Sequence, residues 1–267
     1  MKIRGFTLVE LLVVIGIMGL LMAIVAPVLR TVRSKARDVC CRSNIRQLSV
    51  MMTMYDSDHG SFPLGIDNIS LLPPPNGYAG NAAYDRMGIW WFNHLGLYNR
   101  FVDRGEKDVL ICPARNVPTY KFETNMLVGN YGVNNSICRS AQDYIVRREF
   151  AGESLSADQV LSPSRTVLLL DSGYTMIGWW DVTRYPPYKQ EPLLEKKAYV
   201  PGMSINPYKN LHEGLREDAV YGRHSNRTVN AAFVDGHVEK LSAESLKVTS
   251  EPNSEEYKNL RPLWLPR

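Results

Sequence analysis

The sequence predicts an α+β protein: one long N-terminal helix, membrane-spanning in its first half and amphipathic in its second, followed by an ectodomain built on an antiparallel sheet. Three observations carry that expectation. An apolar run extends from Leu11 to Leu29, an apolar stripe at three- and four-residue steps prolongs it to Tyr55, and strand-like runs appear after residue 160, two of them joined by Asp235-Gly236.

The span comes first. Glu10 is the only charged residue from Leu8 to Leu29, and those 22 residues make a helix of about 33 Å, enough to cross a hydrocarbon core of roughly 30 Å. A carboxylate inside such a span is costly, so a purely mechanical anchor has no reason to carry one. Glu10 is therefore expected to meet a positive partner when the helix packs with others. The basic head, Lys2 and Arg4, ends at Gly5 ahead of the apolar run, and no small-residue cleavage site follows that run. An ordinary secretory signal has the opposite order.

The stripe of Val32, Ala36, Val39, Cys41, Ile45, Leu48, Met52 and Tyr55 continues the helix over 30–55 and predicts that this half packs on its own globular domain. Gly60 and Pro63 then stop it. The Pro- and Gly-rich stretch 72–88 reads as a loop, 89–102 as a short amphipathic helix, and 108–113 as a strand ended by Pro113. The run 165–171 reads as a buried strand, and 174–221 as an irregular insertion. The runs 228–234 and 237–241 flank Asp235-Gly236, the pair a type I′ hairpin turn favours. The tail from 249 onward is polar, then Pro-rich, and is expected on the surface.

Composition bounds the function. Hydrophobic residues at 45% and charged residues at 22% are ordinary globular usage. The net charge of +4, or +2 if Lys2 and Arg4 are removed with a leader, gives no footing for nucleic acid. Cys40, Cys41, Cys112 and Cys138 fit no linear metal-binding spacing; Cys112 and Cys138 are the pair that could be bridged outside the cytoplasm, and four idle thiols are an equal alternative. His224, Asp235 and His237 have the residue types of a metal or acid–base site. Turn geometry alone explains Asp235 and Gly236, however, and a His beside a turn is usually solvated. The pairs Trp90-Trp91 and Trp179-Trp180 could stack on sugars, but neighbouring Trp residues more often divide between core and surface. With no nucleophile elbow, no zinc-protease motif and no phosphate-binding loop, neither a catalytic residue nor a metal or other cofactor is expected.

Gly5-Phe6-Thr7-Leu8-Val9-Glu10-Leu11-Leu12 resembles the processing site of type IV prepilins and of the pseudopilins of type II secretion. The resemblance implies cleavage of Gly5–Phe6 by prepilin peptidase, N-methylation of Phe6, and pairing of Glu10 with a neighbouring subunit's terminal amine during assembly. Pro27 falls where the family carries a helix-kinking Pro. The implied divisions are a leader 1–5, a transmembrane helix 6–29, its continuation 30–55, an ectodomain 56–248 and a tail 249–267. A second resemblance lies in His224 and Asp235-Gly236, similar to the His, nine residues, Asp-Gly element that ends many large-ectodomain relatives; here ten residues intervene.

The implied function is a pseudopilin-like structural subunit of a short filament, for type II protein secretion. Its implied partners are the peptidase, other pseudopilins, an inner-membrane assembly platform and the bilayer. The alternative is a membrane-tethered binding protein or adhesin using the same leader, with ligand contacts in 174–221. Orientation is contested. Arg30, Arg33, Lys35, Arg37, Arg42 and Arg46 beyond the span outnumber the basic residues before it, which by charge alone places the C-terminal side in the cytoplasm. The leader implies the reverse, because its peptidase acts on the cytoplasmic face, and its match is the more specific signal.

Overall fold

An apolar run continued by an amphipathic stripe folds as one helix, α1, Leu8–His59, of 52 residues and about 78 Å, despite Gly16, Gly19 and Pro27 in its interior. A computed structural model describes residues 7–66, 90–96, 109–115, 130–140, 151–172, 175–178, 223–246 and 262–266. The helix is unbroken across Pro27, whose ring removes one backbone donor. The Thr31 hydroxyl donates to the Pro27 carbonyl at 3.2 Å. Gly60 ends α1 at φ 75° and ψ 8°, its N–H donating to the Asp56 carbonyl at 2.8 Å; this left-handed cap is a conformation glycine takes without steric cost.

The two halves of α1 differ sharply. Every residue from Thr7 to Arg37 is exposed, apolar ones included, whereas Cys41, Ile45, Leu48, Ser49 and Met52 are buried. The second half thus docks as its stripe predicts, with polar contact to the sheet from Asp38 and full burial from Cys41. Val32 and Val39 stay about half exposed, contrary to the sequence expectation; at the level of Val39 it is Asp38, one residue earlier, that meets the sheet.

The sheet has five strands: β1 (Tyr131–Asn134), β2 (Val167–Asp171), β3 (Met176–Ile177), β4 (Thr228–Phe233) and β5 (Val238–Ser242), in the order β3-β1-β2-β4-β5. The pairs β1–β2, β2–β4 and β4–β5 are antiparallel, as expected for the last three runs, while the short β3 lies parallel to β1 and makes the sheet mixed. Opposite faces serve opposite cores. On one, Leu168, Leu169, Ala232 and Val234 join Cys41, Ile45, Leu48 and Met52 of α1. On the other, Val167, Leu170, Val229, Ala231 and Phe233 pack with Leu246 and Trp264. A register shift between Val167 and Leu169 places Leu168 and Leu169 together on the α1 face. Burial on both faces explains why β2 is an uninterrupted apolar run rather than an alternating one.

Several local expectations are corrected. The Val109–Cys112 stretch is a turn, not a strand. Among the described residues of the predicted helix 89–102, α2 covers Trp91–Leu95; residues 89 and 97–102 lie outside them. The hairpin uses a three-residue loop rather than a type I′ turn: Gly236 N–H donates to the Phe233 carbonyl at 2.9 Å, Phe233 N–H donates to the His237 carbonyl at 3.0 Å, and only Gly236 of the central pair has positive φ, at 88°. A type I turn followed by a left-handed glycine accommodates Asp235 without forcing it to positive φ. The tail is not all surface, for residues 262–266 fold back on the sheet and Trp264 is buried. Its indole N–H donates to the Leu246 carbonyl at 3.0 Å, and Asn134 Nδ2 donates to the Trp264 carbonyl at 3.0 Å. The loop 72–88, the insertion 174–221 apart from 175–178, and Trp179-Trp180 lie outside the described residues.

Candidate functional site

Among the described residues, two places carry chemistry: the N-terminus of α1 and a buried polar cluster beneath its midpoint. Thr7 is the N-cap of α1, and Glu10 is three residues on. The Glu10 N–H donates to Thr7 Oγ1 at 3.3 Å, while Glu10 Oε2 accepts from the Thr7 N–H at 2.9 Å and from its hydroxyl at 2.8 Å. This is a capping box, which satisfies helix-end donors that have no partner within the helix. The Thr-x-x-Glu spacing ahead of an apolar run was a legible signal for it in the sequence. In the single subunit Glu10 therefore has a local partner. Gly5 and Phe6 lie outside the described residues.

The second site is assembled by topology. Asp38, Cys41 and Asn44 face the sheet from α1; Cys112 comes from the 109–115 turn, Tyr131 from β1, Asp171 from the end of β2, Asn230 from β4, and Arg223 and His224 from the segment before it. His224 is buried, not solvated. A tight turn delivers it, with His224 N–H donating to the Thr228 carbonyl at 3.1 Å and with Asn226 and Arg227 at φ 64° and 56°. Left-handed backbone is uncommon for a non-glycine residue such as Arg227, though Asn takes it more readily.

His224 Nε2 meets Asp171 Oδ2 in a direct ion pair, and His224 Nδ1 lies 3.2 Å from Asp38 Oδ1. Lys240 and the Asn230 amide, the latter at 3.0 Å, also hold Asp38. The sulfurs of Cys41 and Cys112 are 3.5 Å apart, and Cys41 Sγ is 3.6 Å from Asp171 Oδ2. Arg223 closes the rim, donating to the Asn130 carbonyl at 2.9 Å and the Ser172 carbonyl at 2.7 Å.

Electrostatics follow from this crowding. Burial works to depress the His224 pKa, but its contact with Asp171 and the neighbouring Cys112 outweigh that and raise it to about 9. Burial pushes the Cys41 thiol up, and Cys112 beside it pushes the same way. Burial also opposes ionisation of Cys112, yet the Cys41 hydrogen bond, Arg223 and His224 bring it well below the usual thiol range.

The structure divides what the sequence grouped. His224 and Asp235 sit at opposite ends of β4 and share no site. Asp235 caps its own turn, its Oδ1 accepting from the His237 N–H at 3.2 Å. With Gly236 it borders a shallow groove of about 380 Å³ beside Val50, Thr53 and Met54 of α1. Cys112 has Cys41, not Cys138, as its sulfur neighbour, and all four cysteines are free thiols, which corrects the Cys112–Cys138 pairing. Trp90 and Trp91 are both buried, Trp91 donating to the Thr175 carbonyl at 3.0 Å, so neither offers a sugar-stacking face. Cys41, Asp171 and Asp38 were missed as site residues because no linear spacing links them. Cys41, Cys112 and His224 each place one ligand atom within 4.8 Å of the others, a set able to hold a metal ion.

Among known families, the prokaryotic N-terminal methylation motif matches residues 1–26. The chain therefore carries the leader of type IV pilins and pseudopilins, on a helix and an α+β domain organised as in a pilin. That leader makes it a pilin-like substrate of prepilin peptidase and implies pilus-like assembly. Neither a curated protein nor a solved structure matches the chain.

Proposed function

We propose that this protein is a pseudopilin-like structural subunit, not an enzyme, drawn from the inner membrane into a short filament that serves type II protein secretion. The observation that carries the reading is the form of α1: the methylation motif runs into a 52-residue helix whose membrane-length first part is bare and whose second part is docked on the sheet. A subunit of this shape exchanges lipid for neighbouring helices at little change in apolar burial, leaving close packing and polar pairs to set register. The membrane orientation in this reading is single-pass, with the N-terminus cytoplasmic and the ectodomain extracytoplasmic. Assembly partners are other pseudopilins and an inner-membrane platform. A tethered adhesin would rest on 174–221, of which only 175–178 is described, and no observation favours it.

Processing supplies the test. In a host with the peptidase, mass spectrometry is expected to find a chain starting at N-methylated Phe6, and Gly5→Val is expected to abolish cutting, because a branched Cβ intrudes where the peptidase must approach the backbone. An intact Met1 in such a host, or a cut beyond Leu29, would refute the reading.

A further inference from the structure

We propose that Cys41, Cys112, Asp171 and His224 form a closed, structural zinc site that staples α1 to the sheet. The four residues come from α1, the 109–115 turn, the end of β2 and the segment before β4, and all four side chains are buried: Cys41 and Cys112 are 0% exposed, Asp171 1% and His224 5%. Buried polar groups are retained at a cost unless something satisfies them together, and two thiols and an imidazole gathered at one point, with a carboxylate against the imidazole, are a donor set suited to zinc. Soft sulfur with imidazole favours zinc over the oxygen-seeking calcium or magnesium.

The spacing fits. Tetrahedral zinc with Zn–S near 2.3 Å and Zn–O near 2.0 Å sets ligand–ligand edges of about 3.8 Å between sulfurs and about 3.5 Å from sulfur to oxygen. The observed edges are 3.5 Å for Cys41 Sγ–Cys112 Sγ and 3.6 Å for Cys41 Sγ–Asp171 Oδ2. His224 Nε2 and Asp171 Oδ2 touch, so a metal would enter between them by a small separation of the two side chains. A disulfide would use the two cysteines alone and leave His224 and Asp171 to each other as an ion pair, whereas a metal engages both thiols and the imidazole at once.

The surroundings are those of a metal centre. Asp38 receives His224 Nδ1 at 3.2 Å, the carboxylate–histidine arrangement that fixes a ring with its other nitrogen toward a metal. Asp171 Oδ1 accepts the Asn230 N–H at 3.2 Å, which orients the carboxylate, and Asn130 Oδ1 accepts the Cys112 N–H at 3.1 Å. Two thiolates and one carboxylate around Zn²⁺ leave one negative charge, which the Arg223 guanidinium at the rim offsets. Zinc binding releases any thiol and imidazolium protons to solvent and needs no other reactant. With four protein ligands no position remains for water or substrate, so the role is structural. The ion would sit at the first buried turn of α1, about 18 Å beyond Leu29, where the exposed helix meets its domain.

The test uses the full chain, purified in detergent and reduced, with Zn²⁺ and Co²⁺ as probes. One zinc per chain is expected, and cobalt is expected to give the visible bands of tetrahedral thiolate coordination. That spectrum reports the native chain and does not depend on any variant folding. Cys41→Ser and Cys112→Ser should each lose zinc, the exposed neighbour Cys40→Ser should keep it, and Asp38→Asn should weaken zinc affinity roughly ten- to hundredfold. Colourless cobalt on the native reduced chain, undiminished zinc in Cys41→Ser, or a Cys41–Cys112 disulfide in the protein as isolated from the cell envelope would each overturn the site.

Discussion

Glu10→Val is expected to insert and be processed normally while failing to assemble. In the single subunit the Glu10 carboxylate holds the Thr7 N–H and hydroxyl. Losing it therefore loosens only the first turn of α1, and it also removes an acidic side chain from the span, so insertion does not suffer. In a filament the same carboxylate is the partner for the Phe6 amine of a neighbour, and stripping one member from a buried pair leaves the other charged and unmatched. Incorporation should fall by roughly two orders of magnitude or more. Glu10→Gln separates the two roles, because an amide oxygen can still accept from Thr7 but carries no charge. Subunit crosslinking in cells that hold only the variant measures the effect. Equal crosslinking in Glu10→Val and the native protein, with processing intact, would remove Glu10 from assembly and favour a tethered protein over a filament subunit. Recovery by Glu10→Gln would make the cap, not the charge, the essential feature.

Trp264→Ala is expected to be the most destabilising single change in the ectodomain's second core. The indole is 1% exposed and packs with Leu170, Val229, Ala231, Phe233 and Leu246. Truncating a buried Trp typically costs about 3–5 kcal/mol, through lost transfer energy and the cavity left behind. For a domain of this size that lowers Tm by roughly 10 °C. Trp264→Phe should cost less, because a ring still fills most of the space, and its remaining cost comes chiefly from the Leu246 carbonyl losing its indole donor. Thermal unfolding of the full chain in detergent checks both variants. An unchanged Tm for Trp264→Ala would show that residues 262–266 are not part of the folded domain.

The buried cluster shows why its chemistry was hard to read in the chain. Cys41 and Cys112 are 71 residues apart, and His224 lies far beyond both, so no window of sequence contains a metal-like spacing. His224 was legible as part of an element, but its partner there, Asp235, serves only the hairpin. The signal that could have helped is Asp171: a carboxylate that ends a fully apolar run is poorly explained by burial alone.

The leader, the apolar span, a continuous helix to about Tyr55 (four residues short of its end at His59) and the β2, β4 and β5 strands could be read from the chain alone, because each depends on residues close along it. Apolar period, a capping Gly60 and a Thr-x-x-Glu box are local signals, and local physics reads them. Only the tertiary structure decided where α1 begins to dock, that Met176–Ile177 pairs in parallel with β1, and that the Trp264 segment seals the far face. It alone brought Cys41, Cys112, Asp171 and His224 together. Those outcomes depend on which distant surfaces bury one another, and the free energy that selects them belongs to the assembled sheet and helix rather than to any one segment.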